Sequence, residues 1–235
     1  MNSISLWLHV VEYLSLGLFM MYRYFIFDMD GTLLDSTDGI IAALQEMEKR
    51  MGLAPLSMAE LRGFIGPPLK ESFIKYYGAA PEETDEMTRV YRDCYLDVGT
   101  DKTRVFDGAF ELLRKIRALG YKSAIATLKQ HQLATKTLQS TGMDKLTDHI
   151  CLDLDNSLTD KAGMINDCLA ALGCTDKNEA VMIGDSPNDG QSAASAGVDF
   201  IPLMCGEGFK KPGAADSVPC AVRVGSLREL VDYIS

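Results

Sequence analysis

Basic residues are in short supply. Only 23 lysines and arginines stand against 33 aspartates and glutamates, a net charge of −10 over 235 residues, and such a surface repels nucleic-acid polymers and anionic membranes. Histidine is scarcer still: His9, His131 and His149 fit no catalytic constellation, and His131 reads as a surface residue. The six cysteines (Cys94, Cys151, Cys168, Cys174, Cys205, Cys220) contain no CxxC pair and no cysteine–histidine zinc spacing. A chain of this length needs no disulfide staples, so they read as reduced thiols in a cytoplasmic protein. Internal repeats and low-complexity tracts are lacking, and 47% hydrophobic content excludes disorder and fibre.

The one long apolar run, ISLWLHVVEYLSLGLFMM from Ile4 to Met21, lacks what a membrane segment or signal peptide carries. His9 and Glu12 interrupt it, no Lys or Arg precedes Arg23, and no small-x-small cleavage site comes before Tyr22. Residues 1–20 are expected to form an apolar N-terminal extension, with the paired Met20 and Met21 offering a second start of translation. No membrane partner is expected.

What is present becomes regular after Met21. YRYFIF (Tyr22 to Phe27) is a strand-length aromatic and β-branched run that ends abruptly in Asp28-Met29-Asp30-Gly31-Thr32. Four more short apolar runs follow: KSAIAT (Lys122 to Thr127), HICL (His149 to Leu152), AVMIGD (Ala180 to Asp185) and VDFIPL (Val198 to Leu203). Helical patterns lie among them over Ala109 to Leu119, Gln130 to Ser140, Lys161 to Leu172 and Asp189 to Ala196, with Gly120, Gly142, Gly173 and Gly197 at the C-terminal cap positions. Strands alternating with helices predict an α/β fold: a Rossmann-like parallel sheet with helices on both faces.

Residues 35–105 break that rhythm and show no convincing strand. Ile40, Ile41, Leu44, Met47 and Met51 keep helical spacing, Ser57 and Glu60 spell a capping box, and Met87, Val90, Tyr91, Cys94, Tyr95 and Val98 form a second apolar stripe. The methionines in these stripes read as core, where a flexible thioether fills irregular gaps. The expected division is residues 21–34 with 106–235 as the α/β core and 35–105 as an inserted all-helical subdomain.

Ligands of open α/β sheets bind beyond the carboxyl ends of the strands. Asp28 and Asp30 follow the first strand, Thr127 the second, and Asp185 and Asp189 the fourth. Four converging carboxylates repel one another, so keeping them ionised calls for a cation, and an oxygen-only set suits a hard ion such as Mg²⁺. Lys161 opens a helix after the acidic, turn-rich LDLDNSLTD and can supply the complementary charge. A metal, a cation and hydroxyl donors together suit a phosphoryl group.

FDMDGTLLDS, ATLK, the Lys161 of TDKAGMI and GDSPND resemble, in order, the four motifs of the haloacid dehalogenase superfamily. The resemblance spans Met21 to Ser235, and the first and last motifs carry it. The helical insertion resembles the small helical cap of the phosphoglycolate phosphatase-like branch, with FIGPPLKESF (Phe64 to Phe73) as its cap loop. The resemblance implies a Mg²⁺-dependent phosphatase acting on a small phosphorylated metabolite through an aspartyl-phosphate, as a monomer or homodimer. Asp28 is then the nucleophile and Asp30 the general acid/base. Asp28, the backbone carbonyl of Asp30 and Asp185 hold the metal, and Asp189 supports its bound water. Thr127, the Leu128 backbone, Lys161 and Gly31 contact phosphate, with Thr32 completing the loop. Arg62, Gly66 and Lys70 are the candidates for reading the leaving group.

Two residues depart from the family pattern. Leu128 follows Thr127 where a Ser or Asn is usual, and Gln130 stands in place of the Pro after Lys129. Lys129 reads equally as a helix-start lysine and as a leaving-group contact. Asp30 disfavours dehalogenase and phosphonatase chemistry. A phosphosugar mutase, 5′-nucleotidase or pyrophosphatase specificity and a non-catalytic binding module remain as alternatives.

Overall fold

Seven strands and nine α-helices occur among the described residues of the computed structural model, which are 21–153, 160–210, 213–214, 218–220 and 222–234. The expectation for residues 1–20, and 154–159 of the acidic turn, lie outside them. In chain order the strands are β1 (Tyr24–Phe27), β2 (Leu34–Asp35), β3 (Arg104–Val105), β4 (Lys122–Gln130), β5 (His149–Asp153), β6 (Ala180–Gly184) and β7 (Asp199–Pro202). The helices are α1 (Thr37–Met51), α2 (Met58–Arg62), α3 (Leu69–Tyr77), α4 (Thr84–Cys94), α5 (Ala109–Ala118), α6 (His131–Thr141), α7 (Lys161–Leu172), α8 (Pro187–Ala196) and α9 (Leu227–Tyr233).

Five strands form one parallel sheet in the order β5-β4-β1-β6-β7, as the alternation of runs predicts. Side chains two apart point to the same face of a strand, and here the two faces bury different cores. Phe25, Phe27, Ile125, Val181, Ile183 and Ile201 pack with α5, α6 and α9. Ile26, Ala124, Ala126, Met182 and Phe200 pack with α7 and α8 on the other side. Phe25, Ile26 and Phe27 are fully buried in succession, each side chain contributing roughly 1.5–3 kcal/mol by leaving water. A run apolar on every residue is what a central strand covered on both faces requires.

Between β2 and β3 the chain is helical. Ile41, Leu44, Met47, Met87, Tyr91, Cys94 and Tyr95 form a third core, so the methionines are packing residues, and Leu133 of α6 joins it from the sheet side. The Ser57–Glu60 capping box forms as expected. Two details differ from expectation. Asp35 and Arg104 lie in a two-residue antiparallel ribbon, β2 with β3, too short to leave an alternating pattern in the sequence. After Cys94 the helix widens into a π-turn over Tyr95–Gly99 and then a 3₁₀ turn over Thr100–Lys102. All six cysteines are free thiols, and no described helix is long and apolar enough to cross a membrane.

Candidate active site

The chain leaves β1 towards β4 on one side and returns through β6 on the other, so the strand order reverses at β1. The crevice beyond the carboxyl ends at such a reversal is where α/β sheets bind ligands. Phe27 is in register with Ile125 of β4 and Ile183 of β6, and the Asp28 N–H donates to the Ile183 carbonyl at 2.9 Å. The acidic loop thus starts at the sheet's central edge. It then turns back on itself: the Gly31 N–H donates to Leu34 O at 2.7 Å, and Leu34 N–H to Met29 O at 2.9 Å. Gly31 sits at φ +84°, where a side chain is disfavoured.

Lys161 reaches this edge from α7. Asp160 caps that helix by accepting the Ala162 N–H at 2.9 Å, which fixes Lys161 as its first residue. The ammonium donates to Asp28 Oδ1 at 2.5 Å and to Asp189 Oδ1. Lys161 and Asp189 are almost wholly buried. Burial opposes the charge on Lys161, but Asp189 and Asp28 more than offset it and hold the ammonium above the usual lysine range.

Asp189 is set by local sequence. Ser186 caps α8 with Pro187 as its first residue, so the helix starts two residues before the expected Asp189. Both the Ser186 N–H (3.0 Å) and its hydroxyl (2.6 Å) donate to Asp189 Oδ2. Asp185 is held from the other side by the loop after β7: Gly208 N–H donates to its Oδ2 at 3.2 Å. A Cβ on Gly31 would lie 2.3 Å from Asp185 Oδ2, and one on Gly206 2.3 Å from Asp185 Cβ. Burial raises the Asp185 carboxyl to about 6, with help from Asp189, and the Gly208 N–H opposes the rise. Burial likewise pushes Asp28 up to about 8; Lys161 opposes this, while Asp189 and Asp185 add to it.

The carboxylates of Asp28, Asp185 and Asp189 approach within 4.8 Å of one another. Both oxygens of Asp189 are already used, by Lys161 and Ser186. Asp28 Oδ2 and Asp185 Oδ1 keep no protein donor among the described residues. That donor set, two carboxylate oxygens and no nitrogen or sulfur, fits a hard divalent cation.

Asp30 faces a second cation. Lys129 donates to both its oxygens at 3.0 Å, and the Ser36 hydroxyl lies 2.5 Å from Oδ1. Lys129 is therefore no free helix-start lysine: β4 runs on past Thr127 to Gln130, whose side chain caps α6 by accepting the Leu133 N–H at 3.2 Å. The departure from Pro at this position supplies the cap. Thr127 Oγ1 accepts the Lys129 N–H at 3.2 Å, which leaves the Thr127 proton free to donate. Leu128 is 38% exposed. The Thr32 hydroxyl is buried without a partner among the described residues.

The residues named for specificity are dispersed. Arg62, at the end of α2, lies 3.9 Å from Glu207 in the loop beside Asp185. Lys70 pairs with Asp85 at 2.5 Å on the outer surface, and Gly66 adopts φ +100° in open space. Sequence reasoning passed over Ser36, Tyr95 and Gly206–Gly208. The glycine pair flanking Glu207 in CGEGF was the one available signal, since glycines often mark close backbone approach.

A family model described as haloacid dehalogenase-like hydrolase matches residues 25–203. A 5′-nucleotidase of Pseudomonas aeruginosa is 32% identical over 188 residues, 80% of this chain and 85% of that protein. The pyrophosphatase PpaX of Listeria monocytogenes is 32% identical over 175 residues, 73% of this chain and 78% of its own. Among solved structures, the protein tyrosine kinase A of Mycobacterium tuberculosis superposes with a TM-score of 0.76 at 28% identity, covering 91% of this chain and 98% of that one.

Proposed function

Since the chain belongs to the haloacid dehalogenase-like hydrolase family, we propose that it hydrolyses a small phosphomonoester with a divalent metal, Mg²⁺ by the chemistry of the donors, through an aspartyl-phosphate on Asp28. The observation that carries this reading is the pairing of two aspartates, two residues apart on one loop, with two different lysines: Asp28 with Lys161 and Asp30 with Lys129. One carboxylate faces the metal-binding acids and the other stands apart from them, as a nucleophile and a proton carrier must.

In the first half-reaction an Asp28 oxygen attacks phosphorus as the ester P–O bond breaks, and Asp30 gives its proton to the leaving alkoxide. In the second, Asp30 takes a proton from water, whose oxygen attacks phosphorus; phosphate leaves and Asp28 is regenerated. Lys161, the Thr127 hydroxyl and the Leu128 N–H would hold phosphoryl oxygens; Gly31, expected to join them, has its N–H committed to Leu34 O and would instead shape the loop. The Asp28 and Asp185 oxygens, with the Asp30 carbonyl, would hold the metal and Asp189 would orient its water through the ring of hydrogen bonds at Ser186. A bound divalent cation supplies charge neutralisation and Lewis acidity at the phosphoryl group. The helices between β2 and β3 would act as a cap over this edge, with Arg62 and Gly66 as the candidates for reading the leaving group; Lys70, paired with Asp85 on the outer surface, is not one of them.

The names of the relatives favour nucleoside monophosphates and pyrophosphate as first substrates to try, with phosphoglycolate and sugar phosphates beside them. Phosphate release from such a panel with Mg²⁺ tests the reading. Hydrolysis abolished in Asp28→Asn supports it; a panel with no turnover, or an active Asp28→Asn, overturns it. An isomerised sugar phosphate with no free phosphate would instead identify a mutase.

A further inference from the structure

Tyr95 belongs to the apolar stripe expected to serve only as core, and it is fully buried. Its hydroxyl nevertheless has two polar partners, Lys129 Nζ and Thr103 Oγ1, each at 3.0 Å. The Lys129 ammonium also lies 4.3 Å from the centre of the Tyr95 ring, a cation–π distance. An ammonium has three N–H donors. The Lys129 nitrogen lies 3.0 Å from Asp30 Oδ1, Asp30 Oδ2 and the Tyr95 oxygen, so the ammonium is engaged by both residues at once. Tyr95 accepts from Lys129 and shares a second hydrogen bond with Thr103, in which either hydroxyl can donate.

The backbone around Tyr95 is shaped for this contact. Tyr95 opens the π-turn Tyr95–Gly99, and such widened turns concentrate at functional positions. Gly99 and Gly39 of α1 meet backbone to backbone: a Cβ on Gly39 would lie 2.5 Å from Gly99 O, and one on Gly99 2.8 Å from the Tyr95 ring. Two missing side chains let the π-turn, and the ring it carries, settle against α1. Ser36, which precedes α1, hydrogen-bonds the same Asp30 oxygen, Oδ1, that Lys129 does.

We infer that Tyr95 is a positioning residue acting through Lys129: its hydroxyl and ring hold the ammonium that fixes the Asp30 carboxylate, so that the helices between β2 and β3 set the leaving-group side of the reaction. The kinetic consequence rests on the hydrolase reading above; the contact itself does not. A misplaced proton donor slows esters with basic leaving groups more than those whose leaving group departs unprotonated.

The test compares phenyl phosphate with p-nitrophenyl phosphate in Tyr95→Phe, which keeps the ring and its packing. The ratio of kcat on phenyl to kcat on p-nitrophenyl phosphate is expected to fall about ten-fold, with KM on each shifting less than about three-fold. Lys129→Met is expected to lower the same ratio, Lys129→Arg to restore part of it, and the Tyr95→Phe/Lys129→Met double variant to add little to Lys129→Met alone. An unchanged ratio, a change confined to KM, or additive effects would overturn the inference. If the wild-type protein hydrolyses neither ester, the contact is read by ¹⁵N NMR of the lysine ammonium groups. A slowly exchanging signal, assigned through Lys129→Arg, is then expected to vanish in Tyr95→Phe; its persistence overturns the inference.

Discussion

Two lysine–aspartate clusters sit side by side at one edge of the sheet and are built in opposite ways. Among the described residues, every partner of Lys161 comes from the sheet and its flanking helices, and its side chain is 5% exposed. Lys129 is tied to Asp30 on the sheet side but to Tyr95 within the helical insertion, and its Asp30 partner is 30% exposed. The first cluster is complete whatever the insertion does. The second keeps its Asp30–Lys129 pair within the core but takes its Tyr95 and Ser36 contacts from the insertion. Lys161 is thus enclosed by the sheet edge, whereas Asp30, the proton carrier under the proposed function, is left partly exposed with its lysine also touching the helical insertion.

The sharpest way to break this comparison is to remove the acid of the first cluster. Asp28→Asn is expected to lower phosphate release by at least about 10⁴-fold, because it deletes the proposed nucleophile outright; quench-flow with labelled substrate would also show no phosphoryl-enzyme. Lys161→Met comes next, with an expected loss of about 10²–10³-fold in kcat. Its companion, Lys129→Met, is expected to cost about ten-fold on activated esters, so steady-state kinetics that rank the two lysines the other way would refute the division of labour.

Stability against pH separates the clusters differently. Asp28 and Asp185 have carboxyls raised in the folded protein, so between the ordinary carboxylate value and the raised one the folded state binds more protons than the unfolded chain. Stability from these groups is full below about pH 4 and is lost as pH climbs through 6 towards 8. Urea unfolding without metal is expected to show wild type losing on the order of 2–4 kcal/mol relative to Asp28→Asn between about pH 5 and pH 8.5. Millimolar Mg²⁺ is expected to flatten that difference, since the ion replaces the proton. The smallest effect is expected at the rim: Arg62→Ala removes a long, exposed pair with Glu207 and should shift the unfolding free energy by less than about 1 kcal/mol.

The sheet was legible because its strands are short, apolar on both faces and followed by punctuation: Phe27 gives way to Asp28, Gly184 to Asp185. The residues that follow these strands are also those that meet at the edge, so the grouping of Asp28, Asp185 and Asp189 could be read from strand ends, while Lys161, at a helix start, was added by its complementary charge and by the family resemblance. What escaped was whatever depends on one chain segment crossing another. Tyr95 carries a helical spacing indistinguishable from that of Tyr91, and nothing local says that its hydroxyl meets Lys129 across the molecule. Ser36 reads as an ordinary residue before a helix. The β2–β3 ribbon is two residues long on each side, below the length at which alternation can show.

The close packing around Asp185 carries a consequence for how this site can change. Gly31, Gly206 and Gly208 each stand where a single methyl group would come within 2.3–2.4 Å of that residue. The carboxylate is aimed by what its neighbours lack, and no second residue type can supply a lack. A library randomised at positions 31, 206 and 208 and selected for turnover is therefore expected to return glycine at all three. The same library at exposed Leu128 should return many answers, which makes that rim the open direction for drift towards new substrates.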